Sequence, residues 1–261
     1  MATDDEQVQK RVLDELGTML RHLSLGSTPP EIGRLIYRMV KETTGNPDPF
    51  RVLKRESTQH ALALYPSLKK TIIESENSLL TAIRIAIAGN VIDLGVSGSF
   101  DLDAAVRDAL MMDFAICDYA AFEKYLTESR QILYIGDNAG ETVFDRLLIE
   151  QMNKPVTYVV REEPVINDAT AEDAVQAGID KIATIVSSGT DAPGTIPGTC
   201  SLEFRELLDS AEFVLAKGQG NYEGLSDDNR PLFFLLKAKC RLIANDLGVT
   251  VGDIVLKGIH T

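Results

Sequence analysis

The chain predicts an α/β protein: a mostly parallel sheet with flanking helices in its second half, preceded by an all-helical first half. Three observations carry this. Apolar residues recur at helical spacing through the first 128 residues, with little β character. From residue 129 onward short apolar runs alternate with amphipathic ones, the pattern of strand–helix–strand crossover units. With 44% apolar residues in 261, a sizeable core can form, so residues 1–128 and 129–261 read as a helical domain and an α/β domain packed as one body.

The elements follow in order. Val8, Val12, Leu16, Leu20 and Leu23 lie on one face of a first helix. Ser27-Thr28-Pro29-Pro30-Glu31 then offers a cap, prolines for a first turn and an early acid. Ile32, Leu35, Ile36, Met39 and Val40 continue that second helix, which Gly45 ends before the turn Asn46-Pro47-Asp48-Pro49. Helices are further predicted over 50–65, 66–75, 77–89 and 101–127. Strands are predicted at 132–135, 156–160, 182–186, 212–216 and 254–257, with helices at 141–152, 170–178, 201–209 and 230–246.

Composition excludes several classes. A net charge of −13 argues against nucleic acid, whose phosphates attract Lys and Arg. Cys117, Cys200 and Cys240 form neither a disulfide framework nor a zinc pattern. His22, His60 and His260 have no ligand spacing. A bound metal would therefore need oxygen ligands, favouring Mg²⁺ or Mn²⁺ over zinc. The N-terminus is acidic and polar, unlike a signal peptide, and the apolar stretch Leu79–Leu94 carries Arg84 and Asp93, too polar and short to span a bilayer. A cytoplasmic protein is expected; oligomeric state is left open.

Ligands of open α/β sheets bind beyond the carboxyl ends of the strands, and there the polar residues gather. Asp137, Asn138 and Glu141 follow the first predicted strand, Asn167 and Asp168 the second, Ser188 and Gly189 the third, and Lys217, Gly218, Gly220, Asn221 and Glu223 the fourth. Asn138 with Glu141 has capping-box spacing, and Asn167 or Asp168 could cap the next helix. A cap and a ligand site are compatible, because a helix N-terminus also favours anions. Asp137, Asn138 and Asp168 together form a plausible hard-metal set. Lys217 is either a solvated strand end or a phosphate clamp, with Gly218 and Gly220 opening the backbone N–H groups to an anion. Asn90 and Asp93 either cap an apolar helix or complete the pocket from above. Gly218-Gln219-Gly220 misses the dinucleotide fingerprint because its third glycine falls at Gly224, and Thr195 stands where a Walker motif needs lysine.

GDNAGE at 136–141, INDAT at 166–170 and KGQGNYE at 217–223 resemble the metal-dependent damage-control phosphatases, once called domain of unknown function 89. PPEIGRLIYRMVKETTGNPDPF and AGNVIDLG extend the resemblance over nearly the whole chain, most closely to the stand-alone prokaryotic branch. That branch often begins with a cysteine pair; here no cysteine precedes Cys117. The resemblance implies a Rossmann-like domain beside a helical one and a single divalent ion, manganese, nickel, cobalt or magnesium, on Asp137, Asn138 and Asp168. It also implies phosphate binding by Lys217, with Asn221 and Glu223 nearby.

The expected chemistry is metal-assisted hydrolysis of small phosphorylated metabolites, such as sugar phosphates or damaged phosphometabolites. The metal would polarise a phosphoryl oxygen and lower the pKa of water, while Lys217 and loop N–H groups offset charge. Attack by water is favoured over an aspartyl-phosphate, because Asp137-Asn138-Ala139 lacks two acids separated by one residue. The alternatives are a non-catalytic module binding a phosphometabolite or nucleotide and, least favoured, a dinucleotide-dependent oxidoreductase.

Overall fold

The computed structural model describes residues 2–89 and 110–261; the candidates Asn90 and Asp93 and the start of the helix expected at 101–127 lie outside the described residues. The first two helices form where the sequence predicts them. In α1 (Glu6–Leu20), Asp5 accepts from the N–H groups of Gln7 and Val8. In α2 (Pro29–Thr44), Thr28 and Glu31 make a capping box and Gly45, at φ +68°, ends the helix. The two helices expected at 50–65 and 66–75 are one, α3 (Arg51–Glu74), with Pro66 inside it. Pro66 is exposed, so water can take the carbonyl it frees, while Ala61, Leu68 and Ile72 keep one buried face continuous. The buried helix α4 (Ser78–Gly89) follows.

Among the described residues seven strands form one sheet: β1 (Phe114–Cys117), β2 (Ile132–Ile135), β3 (Val156–Val160), β4 (Thr184–Ser187), β5 (Val214–Lys217), β6 (Leu232–Lys237) and β7 (Ile254–Ile259). Their order is β1-β7-β6-β5-β2-β3-β4. Every neighbouring pair is parallel except β6 and β7. Between strands run α5 (Tyr119–Glu128), α6 (Thr142–Met152), α7 (Ala171–Ala177), α8 (Leu202–Ser210), α9 (Gly218–Leu225) and α10 (Arg241–Leu247). Alternate strand residues feed two cores. Tyr134, Tyr158, Leu215 and Phe233 pack under α3 to α7 on one face, and Leu133, Val159, Ala216 and Phe234 pack with Phe204, Tyr222 and Ile243 of α8 to α10 on the other. Each fully buried Leu, Ile or Phe contributes about 1.5–3 kcal/mol.

Two further expectations are corrected. Residues 114–117, read as helix, are strand β1, paired with β7. Residues 230–246, read as one helix, are β6 followed by α10. The run Leu232-Phe233-Phe234-Leu235-Leu236 is buried throughout, and a strand covered on both faces loses the alternation that marks a strand in sequence. Among the described residues no helix is long and apolar enough to cross a membrane.

The strand order locates the site. From β2 the chain steps outward to β3 and β4, then returns across β2 to β5 and β6. That reversal makes a crevice at the carboxyl ends of β2 and β5.

Candidate functional site

The register Leu133↔Val214, Tyr134↔Leu215, Ile135↔Ala216 brings the tails of β2 and β5 together, with Asp137 across from Gly218. Gly218 has φ +77°, and a Cβ there would stand 1.8 Å from Asp137 Oδ2; only glycine satisfies both the backbone and the approach. On the other flank the chain after β3 folds back on the tail of β2. Ala169 N–H donates to Asp137 O and Ala139 N–H to Asn167 O, both at 2.8 Å, around an isolated antiparallel bridge of Asn138 with Asp168. Residues opposed in such a bridge project to the same side. The bridge sets Asn138 beside Asp168, and with Asp137 they line one pocket of about 670 Å³.

Helix α2 roofs this pocket with Pro30, Ile32, Ile36 and Tyr37; α9 adds Gln219, Gly220 and Glu223, and the segment after β6 adds Lys239. The roof is fastened at its rim. Arg34 and Arg38 both pair with Asp191, and Lys41 reaches Glu163 at 2.9 Å. A larger surface depression, about 870 Å³, lies along Arg38, Lys41, Glu42 and Glu163, but the strand-tail acids are not among its lining.

Electrostatics mark the pocket as short of positive charge. Burial first, then the charges of Glu141 and Asp168, push the Asp137 carboxyl well above the usual carboxylate range, against the pull of Lys239 and Arg161. Burial raises Asp168 as well, although Arg161 beside it pulls the other way. Burial and then the charge of Asp168 raise the Tyr37 hydroxyl. Two adjacent buried acids are costly unless a cation joins them. Asn138 Nδ2 donates to Glu141 Oε1 at 2.6 Å and to Asp137 Oδ2 at 3.3 Å, which leaves Oδ1, the atom a hard cation takes, on the opposite side of the amide. Among the described residues no three His, Cys, Asp or Glu side chains cluster as metal ligands; the donors here are two carboxylates and an amide. That chemistry fits a hard divalent ion whose remaining positions water or substrate fills.

Asp168 is held by a residue that the sequence reading did not single out. Arg161, 2% exposed, donates Nε to Asp168 at 2.8 Å, and its other nitrogens reach Thr195 and Asn221. It immediately follows the buried strand Val156–Val160, a placement visible in the sequence but shared with many strand ends. Asp145, Tyr37 and Lys239 were likewise missed.

The remaining candidates divide. Gly220 and Glu223 line the pocket; Glu223 accepts from Gln219 at 2.8 Å, and burial raises its carboxyl. Asn221 is fully buried and staples the tails, donating to the carbonyls of Gly136 and Lys217. Ser188 is buried and donates to Val160 O. Gly189, at φ +72°, packs on Ser201. None of these three lines the pocket. Glu141 and Lys217 lie beneath its floor, 1% and 0% exposed. Lys217 Nζ donates to Glu141 at 2.9 Å and to Asp145 at 2.7 Å. Burial alone would lower its pKa, but the two carboxylates, Asp145 foremost, raise it. Direct phosphate contact by Lys217 does not follow from this geometry.

Fold and site define an open α/β protein with oxygen donors and a helix start meeting at the sheet's switch point, under a helical roof. The profile described as the damage-control phosphatase ARMT1-like domain matches residues 1–255, and the chain belongs to that family. A damage-control phosphatase of Archaeoglobus fulgidus is 36% identical, covering 100% of this chain and 93% of the relative. One of Pyrococcus horikoshii is 36% identical over 98% and 90%. The crystal structure of a DUF89 family protein from Pyrococcus horikoshii superposes with a TM-score of 0.89, covering 98% of this chain and 91% of that one at 36% identity.

Proposed function

We propose that this protein is a metal-dependent phosphatase acting on small phosphorylated metabolites, sugar phosphates or damaged phosphometabolites among them. The observation that carries the reading is the meeting of Asp137, Asn138 and Asp168 in one pocket beside the start of α9. A divalent ion held by these three residues would supply Lewis-acid polarisation of a phosphoryl oxygen and a water of lowered pKa.

The chain's own groups do the rest. The backbone N–H groups opening α9, with Gly218 and Gly220 free of side chains, form an anion-accepting helix start. Lys239 is the cation of the pocket lining among the described residues and offsets phosphoryl charge there. Arg161 fixes Asp168. Ile32, Ile36 and Tyr37 exclude water and limit the substrate to a small molecule. Asp137 or Asp168 would orient the attacking water or take its proton.

The test assays the full chain with p-nitrophenyl phosphate and a sugar-phosphate panel against Mn²⁺, Ni²⁺, Co²⁺ and Mg²⁺. Turnover that requires a metal, and is lost by 10²-fold or more (roughly, for removal of one transition-state donor) in a folded Asp137→Ala variant, is the expected result. Full metal-dependent turnover in that variant, or phosphate binding without turnover under any metal, would contradict the proposal.

A further inference from the structure

Beneath the pocket floor runs a chain of buried polar groups. Tyr134 and Tyr158 oppose each other in register across β2 and β3, with stacked rings 5.3 Å apart. Their hydroxyls donate to Asp145 Oδ1 and Oδ2 respectively, each at 2.7 Å. Lys217 Nζ bridges Asp145 Oδ1 at 2.7 Å to Glu141 Oε2 at 2.9 Å. Glu141 Oε1 then accepts the Asn138 NH₂ at 2.6 Å. Stability explains this chain poorly, because an apolar cluster of similar volume is often as stable as a buried ion pair.

We propose that the chain from Tyr134 and Tyr158 through Asp145, Lys217 and Glu141 positions the Asn138 amide, so that its Oδ1 is the face offered to a metal. The inference rests on the metal reading above. An amide is nearly symmetric in shape, and half a turn exchanges its acceptor for its donors. The NH₂ also lies a longer 3.3 Å from Asp137 Oδ2, so an amide released from Glu141 is free to turn its donors further into a pocket lined by Asp137 and Asp168 and present a metal with the wrong atoms. A carboxylate at 141 can only accept, so it selects the NH₂. Lys217 occupies its other oxygen and fixes the rotamer, and Asp145 with the two hydroxyls fixes Lys217. These are positioning residues of the kind whose loss weakens a metal site without touching the metal. Lys217 acts here through Glu141 and not on phosphate.

Two measurements test this. The first is titration of Mn²⁺ into metal-free full-length protein by calorimetry. Glu141→Gln places an amide donor where Lys217 or Asn138 needs an acceptor, and is expected to weaken Mn²⁺ binding by about 10–100-fold with a cooperative melt retained. A folded Glu141→Gln protein with wild-type Mn²⁺ affinity would overturn the proposal. The second needs no variant. In metal-free wild-type protein the Asn138 side-chain ¹⁵NH₂ signals are expected to resist solvent exchange relative to those of exposed Asn229, and exchange as fast as at Asn229 would overturn the positioning chain whether or not Glu141→Gln folds. Absence of Mn²⁺ binding by a wild-type protein whose Asn138 NH₂ is protected would defeat the metal reading instead.

Discussion

Gly218 is the most demanding single position in the site, because the Asp137 carboxylate occupies the space of its missing side chain. Gly218→Ala would put a methyl 1.8 Å from Oδ2 at a backbone φ of +77°. It is expected to abolish metal-dependent turnover while far-ultraviolet circular dichroism stays close to wild type; retained turnover would show that the carboxylate can move aside. Lys217→Met leaves Asp145 and Glu141 buried without their shared cation and should cost about 3–5 kcal/mol of stability, read as a lowered urea midpoint. The pocket's acids could be named from sequence because Asp137, Asn138 and Asp168 follow apolar strands directly. The depth of Lys217 could not. A lysine ending a strand before a glycine looks the same whether it faces solvent or two carboxylates, and its partner Asp145 lies in what reads as an ordinary helix.

Helix α2 is the element that turns a strand-edge crevice into a pocket, and its fastening is electrostatic. Burial alone would raise the Asp191 carboxyl, but hydrogen bonds from Arg34 and Arg38 outweigh it and hold the group below its ordinary range. With the folded pKa depressed, the stabilisation is fully present above the unfolded value of about 4 and is lost as pH falls through the folded one. The effect is on the order of 1 kcal/mol, since the Arg38 side chain is 48% exposed and solvent screens its share. Protection of the α2 backbone amides from hydrogen exchange, taken relative to the intrinsic rate at each pH, should therefore fall below about pH 4, and Asp191→Asn should show that loss of protection already at neutral pH. Exchange in α2 that ignores both changes would mean the packing of Ile32 and Ile36 holds it unaided. The apolar spacing of Val8, Val12, Leu16 and Leu20 made α1 readable from sequence, and the cap at Thr28 and the stop at Gly45 did the same for α2. Helix α9 was not: Gly218, Gly220 and Gly224 argue against a helix on propensity. Yet a Cβ at Gly224 would lie 1.9 Å from Thr195 O and one at Gly220 2.8 Å from Pro193 O, so close packing overrides propensity.

The whole chain carries a net charge of −13, an unfavourable field for a phosphorylated substrate. Screening should relieve that repulsion. With the metal saturating, kcat/KM is expected to rise as KCl goes from about 20 to about 200 mM, across which the Debye length shrinks several-fold; a fall would point to an attractive patch dominating substrate approach. The parallel sheet, its helical layers and the strand-tail location of the site were legible in the alternation of apolar runs. The strand order was not, because the return across β2 to β5 depends on contacts between residues some eighty positions apart. That return is what brings Gly218 to Asp137. The most direct measurement is an anomalous difference map from crystals grown with Mn²⁺. A peak is expected about 2.1–2.4 Å from carboxylate oxygens of Asp137 and Asp168 and from Asn138 Oδ1, near the usual range for hard-cation ligands. No peak at saturating Mn²⁺, or a fully occupied one elsewhere, would contradict it.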